Sequence, residues 1–197
     1  MNYLAHIYLS DNIAQRQVGN FIGDFVKGNQ YDNYPNEIRR GILLHRQIDS
    51  YTDAHPVVRE TTALLRSSFG RYSGIVSDLY FDHFLATNFD SYSNNRSLTK
   101  FSLGFYGAAT LNYRYLPDRV KGFIWHFITT HRLGKYASFE GLKESMQIME
   151  RHKTPAISPD LAIEFLQSNF EQLQSNFQLF FPDLVKFVEE YKHLDRI

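Results

Sequence analysis

Apolar residues recur along this chain at the three- and four-residue spacing of helices, and alternating strand patterns are scarce. The pattern predicts a short helix over residues 2–9 and a second over 13–27, closed by Gly28-Asn29. Pro35 opens a third at its first turn, where a missing N–H costs nothing, and this helix runs to about Asp53. The run "AHP" ends it, because the residue before a proline disfavours the helical region. Pro56 opens the next, to about Ser67, followed by helices over 72–88, 97–113, 117–132 and 139–152. "SYSNNRS" reads as a loop and "KTPAISP" as the clearest break. Two amphipathic segments follow, 159–177 and 181–194, split at Pro182 and suited to pack as a hairpin. There is no repeat and no low-complexity tract. The expectation is an all-α fold of about ten helices in a single compact domain over 1–197, with helices in 1–90 and a C-terminal helical part over 97–197.

Composition adds the kind of core. The chain is 43% apolar, with 17 Phe and 13 Tyr against one Trp, so large flat rings fill the interior. Lys+Arg and Asp+Glu are both 21, which argues against gripping nucleic acid by bulk charge but leaves room for a local basic patch. With no cysteine there is no disulfide and no thiolate zinc site. "MNYLAHIYLSDN" has neither the basic n-region nor the cleavage site of a secretory signal, and no apolar run approaches the ~20 residues that span a bilayer. A soluble, cytoplasmic protein with no membrane and no nucleic-acid partner is expected.

Four segments of the first 83 residues carry ionisable or amide groups at i, i+4 spacing inside apolar surroundings. They are Asn2 and His6; Asn20 and Asp24; His45, Asp49 and Asp53; and Asp78 and Asp82, followed by His83. Residues four apart on a helix have Cβ atoms ~5–6 Å apart on one face, so two such side chains can converge on one cation. Buried carboxylates are costly unless paired or metal-bound, and carboxylates gathered from several helices repel one another until a divalent ion neutralises them. An imidazole-plus-carboxylate set rich in oxygen leans towards Mn or Mg rather than Zn. Each segment also has a plainer reading: a hydrogen-bonded core histidine at His6, an Asp24–Lys27 pair, salt bridges of Asp49 and Asp53 to Arg46, solvated Asp78 and Asp82. Four coincident segments favour the shared site. His126 and His131, five apart, do not share a face and read as structural; His152 and His193 sit in polar surroundings and read as exposed.

"MNYLAHIYLS", "GNFIGDFVKG", "GILLHRQIDSYTDAHPVVRE" and "SDLYFDHFLA" resemble the acyl carrier protein phosphodiesterase family. Weaker similarity continues through "FIWHFITTHRLGKY" and "MERHKTP" into the C-terminal helices. The resemblance implies a divergent, HD-domain-like branch of helical metal-dependent phosphohydrolases. It implies Mn-dependent removal of 4′-phosphopantetheine from holo acyl carrier protein, with Mg or Fe as other candidate ions. "HRQID" stands where an HD enzyme shows adjacent His-Asp: Arg46 follows His45, and the nearest helical carboxylate is Asp49. Asp82-His83 is a second candidate pair. The aspartate that the family regards as essential falls on Asp24.

On that basis His6, Asp24, His45, Asp49, Asp78 and Asp82 are expected as metal ligands. Asp24, His45, Arg46 and His83 are expected to take part in catalysis, with Arg46 holding the phosphate by a bidentate contact and His83 moving protons. Asn2, Asn20, Asp53 and His55 would support the ligands. The carrier protein is small and acidic, so Arg39, Arg40, Arg59 and Arg66 are candidate docking residues, and Arg132, Lys135, Arg151 and Lys153 form a second basic cluster. The C-terminal amphipathic helices offer a homodimer face. The competing readings are another HD-like phosphohydrolase acting on a nucleotide or small phosphate ester, and a non-catalytic helical interaction protein with structural ion pairs.

Overall fold

The computed structural model of the chain describes residues 1–93, 96–152 (backbone alone for 150–152) and 157–194. The described residues contain no strand; most of them are helical, as the periodicity predicts. Among the described residues, twelve α-helical segments run in the order α1 (Tyr3–Tyr8), α2 (Ala14–Phe21), α3 (Asn36–Ala54), α4 (Pro56–Phe69), α5 (Ser73–Thr87), α6 (Phe89–Tyr92), α7 (Leu98–Leu111), α8 (Asp118–Thr129), α9 (Arg132–Lys135), α10 (Phe139–His152), α11 (Pro159–Ser168) and α12 (Phe170–Leu194). No described helix is long and apolar enough to cross a membrane.

The chain forms two compact units that interleave in sequence. One comprises residues 3–50 and 89–134; the other comprises 1–2, 51–88 and 135–197. In the first, Phe21 at the end of α2 is the hub of an aromatic core. Its ring lies 4.9 Å from Tyr3, 5.0 Å from Phe105 and 5.3 Å from Phe127. Leu4, Ile7, Val18, Ile38, Ile42 and Ile124 are buried in the same unit. Helices α2 and α3 approach backbone to backbone at two glycines. A Cβ on Gly19 would lie 2.1 Å from the Ile38 carbonyl oxygen, and one on Gly41 would lie 2.2 Å from that of Arg16. Only glycine permits this crossing, which sets the distance between the polar groups that the two helices carry.

The second unit is built around α5, which is buried almost all round by its own composition: Val76, Leu79, Tyr80, Phe81, Phe84 and Leu85 are all inaccessible. Phe177 of α12 packs against Phe81 and Phe84 at 5.7 and 5.9 Å. The Tyr80 hydroxyl donates to the Ala162 carbonyl at 2.6 Å, tying α5 to α11. Pro56 stands at the first turn of α4, as expected.

Two expectations are corrected. The predicted helix over 13–27 stops at Phe21, and a 3-10 turn over Gly23–Phe25 follows. The apolar pattern continues through Phe25 and Val26, but the His45 ring occupies the space beside Gly23, and the chain tightens around it. The C-terminal segments are also not divided at Pro182. Helix α12 runs straight through that proline, and the break falls at Asn169. Both the backbone N–H and the side-chain amide of Asn169 donate to the Phe165 carbonyl (3.1 and 2.9 Å), closing α11. Pro182 lacks the donor for the Gln178 carbonyl, and Gln178 is exposed, so water can serve that carbonyl in its place. Residues 94–95 of the "SYSNNRS" loop and 153–156 of the "KTPAISP" break lie outside the described residues, as do Lys153 and the side chains of Arg151 and His152.

Candidate metal centre

The first unit brings together four of the expected site residues. His6 comes from α1, His45 and Asp49 from α3, and Asp24 from the 3-10 turn after α2. The two imidazoles stack, with centroids 4.1 Å apart and planes 22° from parallel. Both rings are buried, their side chains 3% and 8% exposed.

Asn20 fixes both rings. The His6 Nδ1 lies 2.8 Å from the Asn20 Oδ1, and the His45 Nδ1 lies 2.8 Å from the Asn20 backbone oxygen. The orientation of the Asn20 amide is set independently, because its Nδ2 donates to the His6 carbonyl and to the Ser10 hydroxyl, each at 2.8 Å. A flipped amide would set its oxygen against the His6 carbonyl oxygen, an acceptor that donates nothing. Oδ1 is therefore an acceptor, as is any backbone oxygen. Both Nδ1 atoms must then carry hydrogen, which leaves both Nε2 atoms with lone pairs in the neutral rings.

Those lone pairs converge. The His6 Nε2 lies 3.2 Å from the Asp49 Oδ1 and the His45 Nε2 lies 3.1 Å from its Oδ2. The Asp24 Oδ1 is 3.5 Å from the His45 Nε2. Both Nε2 atoms are inaccessible to solvent, and neither contact has hydrogen-bond geometry. Ligand atoms of His6, His45 and Asp49 lie within 4.8 Å of one another, the spacing of a shared cation. The carboxylates close the site on the solvent side, with Asp49 41% and Asp24 65% exposed.

Electrostatics without an ion show the strain of this packing. Burial and the neighbouring His45 charge push His6 down to about 4. Burial also works against protonation of His45, but the Asp24 and Asp49 carboxylates outweigh it and raise His45 to about 9. Burial alone would raise Asp49; the two imidazoles instead hold it well below the usual carboxylate range. His45 likewise draws Asp24 down. One proton, on His45, thus supplies the positive charge of the cluster.

The other expected residues have different partners. Arg46 turns from the cluster and donates to the carbonyls of Val26 (3.0 Å) and Gly28 (2.7 Å), with its guanidinium 5.0 Å from the Tyr31 ring centre. In the second unit, Asp78 accepts from the Met1 ammonium at 2.8 Å, and buried Asp82 accepts from the Asn2 backbone N–H at 3.3 Å. His83 is buried, donates from Nδ1 to the Tyr136 carbonyl at 2.7 Å and stacks on Phe139; burial lowers its pKa against that hydrogen bond. His55 lies 3.4 Å from Asp183, and Asp53 is exposed, its carbonyl taking a hydrogen bond from Arg59. Arg39 pairs with Asp32, and Arg40 with Glu37; Arg66 is exposed on α4. Arg132 is buried and Lys135 pairs with Glu144. His126, His131 and His193 are exposed.

Sequence reasoning passed over Ser10, Gly19, Gly23 and Gly41. A Cβ on Gly23 would lie 2.2 Å from the His45 Cγ, so this glycine makes room for the ring. The signal was present in the doublets Gly19-Asn20 and Gly23-Asp24, where each polar site residue follows a glycine four residues from the other.

The described residues thus form an all-helical fold that carries a His/Asp cluster in one of its units. The acyl carrier protein phosphodiesterase family model matches residues 1–184. The chain belongs to that family of phosphodiester hydrolases. It is 27% identical to the acyl carrier protein phosphodiesterase of Yersinia pestis, over 94% of this chain and 96% of that protein. The corresponding figures are 29% for the Serratia proteamaculans (strain 568) protein of the same name, over 94% and 96%, and 28% for that of Klebsiella pneumoniae (strain 342), over 96% and 98%. No solved structure matches the chain.

Proposed function

We propose that His6, His45 and Asp49, with Asp24 at the outer edge, hold a divalent metal ion, and that the chain uses this centre to hydrolyse the phosphodiester between 4′-phosphopantetheine and a serine of holo acyl carrier protein. The observation that carries the reading is the pair of buried Nε2 lone pairs, both fixed by Asn20 and both aimed at one carboxylate. A proton on His45 answers only one of the two contacts at 3.1–3.2 Å, whereas a metal ion between the rings and the carboxylate would answer both. Family membership supplies the reaction class, and the names of the relatives supply the substrate.

Two nitrogen and two carboxylate donors suit Mn or Fe better than Mg, which prefers oxygen alone. When bound, such an ion supplies Lewis acidity towards a phosphoryl oxygen and a water. The chain's own groups do the rest. Asn20 keeps both imidazoles in the ligating tautomer. Asp24, the most exposed of the four, faces the incoming diester and accepts a proton as water adds to phosphorus. The bond to the serine oxygen breaks, and that oxygen takes up a proton. The products are apo carrier protein, with its serine hydroxyl restored, and 4′-phosphopantetheine. In this reading Asp78, Asp82 and His83 hold their own unit together.

The test is direct. Purified protein, stripped with chelator and resupplied with Mn, is incubated with holo carrier protein, and free 4′-phosphopantetheine is followed by mass spectrometry. Release with Mn, none with chelator, and loss in Asp24→Ala and His45→Ala support the assignment. Turnover of nucleotides with an intact holo carrier would favour a different phosphohydrolase.

A further inference from the structure

Arg46 directly follows His45 on α3, yet its side chain works on a different stretch of the chain. A single nitrogen, Nη2, donates to two carbonyls, that of Val26 at 3.0 Å and that of Gly28 at 2.7 Å. The guanidinium lies 5.0 Å from the centre of the Tyr31 ring, and the Arg39 guanidinium lies 5.5 Å from the same centre. Arg39 in turn pairs with Asp32 at 3.3 Å. Both arginines belong to α3, which therefore straps down the segment from Val26 to Asp32 with two of its own side chains.

That segment begins where the turn of Asp24 ends. Two hydrogen bonds close the turn, from the Phe25 N–H to the Ile22 carbonyl (2.9 Å) and from the Val26 N–H to the Gly23 carbonyl (3.2 Å). Val26 is thus held twice: its N–H closes the turn and its carbonyl meets Arg46. Its side chain is buried as well. Most of the Asp24 side chain is exposed, with Oδ1 3.5 Å from the His45 Nε2. An exposed side chain on a three-residue turn has little packing of its own, so its place depends on the backbone that carries it.

We infer that Arg46 is a positioning residue: by tying the Val26 and Gly28 carbonyls to α3, it sets the Asp24 carboxylate against His45, which the same helix carries. The role of Asp24 in this inference rests on the function proposed above. The expectation from sequence is a direct bidentate grip of Arg46 on the phosphate. The geometry favours the strap. Both hydrogens of Nη2 already meet backbone acceptors, and hydrogen bonds from a charged donor are the stronger kind. Turning this nitrogen to a phosphate would release the segment that anchors the Asp24 turn. Because one helix carries His45, Asp49 and the strap, a shift of α3 moves all of them, and the Asp24 turn, together.

The two roles differ in what a lysine can replace. One ammonium has donors enough for two carbonyls, whereas a bidentate grip on a phosphate needs the guanidinium fork. The experiment compares Arg46→Met and Arg46→Lys with the wild type in two readouts. These are amide hydrogen exchange of the metal-free protein, followed by NMR, and kinetics on holo carrier protein with Mn. In Arg46→Met the Phe25 and Val26 amides should exchange at least about tenfold faster, while those of α5 from Leu79 to Leu85 stay within about twofold. Its kcat should fall at least about tenfold with KM within about twofold, the mark of a group that acts on reacting geometry rather than on binding. Arg46→Lys should bring exchange and kcat back to within about threefold of wild type. Unchanged exchange at Phe25 and Val26 in Arg46→Met, or equal acceleration in α5, would overturn the inference whether or not the wild type cleaves the carrier. An unchanged kcat would do the same in a wild type that cleaves it. So would a raised KM, or an Arg46→Lys variant as impaired as Arg46→Met, since either places the guanidinium on the phosphate. Faster exchange in Arg46→Met, relieved in Arg46→Lys, in a protein that leaves holo carrier intact would support the strap and sink the proposed reaction.

Discussion

The Nε2 atoms of His6 and His45 meet on the two oxygens of one carboxylate, Asp49, at 3.2 and 3.1 Å, while the opposite nitrogens of both rings end on a single residue, Asn20. The arrangement makes Asn20 the origin of the site geometry. Its side chain serves one ring and its backbone the other, so neither imidazole can rotate or change tautomer alone.

Asn20→Ala should therefore do more than remove a side chain. It leaves the buried His6 Nδ1 without its acceptor, at a cost of about 1–3 kcal/mol before relaxation, while the Ser10 hydroxyl keeps its own hydrogen bond to the His6 carbonyl. Metal affinity should fall by about 10–100-fold. Thermal melts and Mn titration calorimetry check both. A variant with normal Mn affinity would show that the tautomer lock does not matter.

Gly23→Ala tests the close approach on which His45 depends. The new methyl would lie 2.2 Å from the ring Cγ and 2.5 Å from Cβ, so the ring must move. A displacement of ~1 Å at a reacting centre can cost about 10²-fold in rate, and at least a tenfold loss of turnover is expected. Gly122→Ala, where nothing lies within 4 Å on α8, is the control and should leave turnover unchanged while gaining up to ~1 kcal/mol of helix stability. Equal behaviour of the two variants would contradict the packing argument.

Stability of the metal-free protein should peak near the ordinary histidine value. Between about pH 4 and 6.5 the unfolded chain holds protons on both His6 and His45, whereas the folded chain holds one on His45 alone, so stability rises with pH. Between 6.5 and about 9 the unfolded chain has lost both protons while folded His45 keeps its own, so stability falls. Each limb has a slope of about 1.4 kcal/mol per pH unit. Excess Mn requires neutral His45 and should abolish the alkaline fall. Denaturant melts across this range, in chelator and in Mn, decide the point; an alkaline limb that is flat in chelator would remove the proton from His45.

Much of the scaffold could be read from residue order, and the reasons for the exceptions are local. Pro35 and Pro56 mark helix starts because their lost donor is one that a first turn leaves unused. Pro182 carries the same local signal in mid-helix, but Phe177, Phe180, Phe181 and Leu184 are all buried on one continuous helix, and that packing overrides it. The i, i+4 rule found His45–Asp49 correctly, since both stay on α3. It found Asn20 and Asp24 for the wrong reason: the helix ends between them, and it is the 3-10 turn, made possible by Gly23, that brings Asp24 to His45. The carbonyls that engage Arg46 lie 18 and 20 residues earlier, on a turn that no periodicity describes.

The most direct measurement is diffraction from crystals grown with Mn, collected to record the anomalous signal of the ion. The account predicts a peak coordinated by the His6 Nε2, the His45 Nε2 and an Asp49 oxygen, with Asn20 still bonded to both Nδ1 atoms and metal–ligand distances of about 2.0–2.3 Å. Absence of the ion from these three side chains, with His45 remaining a protonated partner of Asp24 and Asp49, would contradict it.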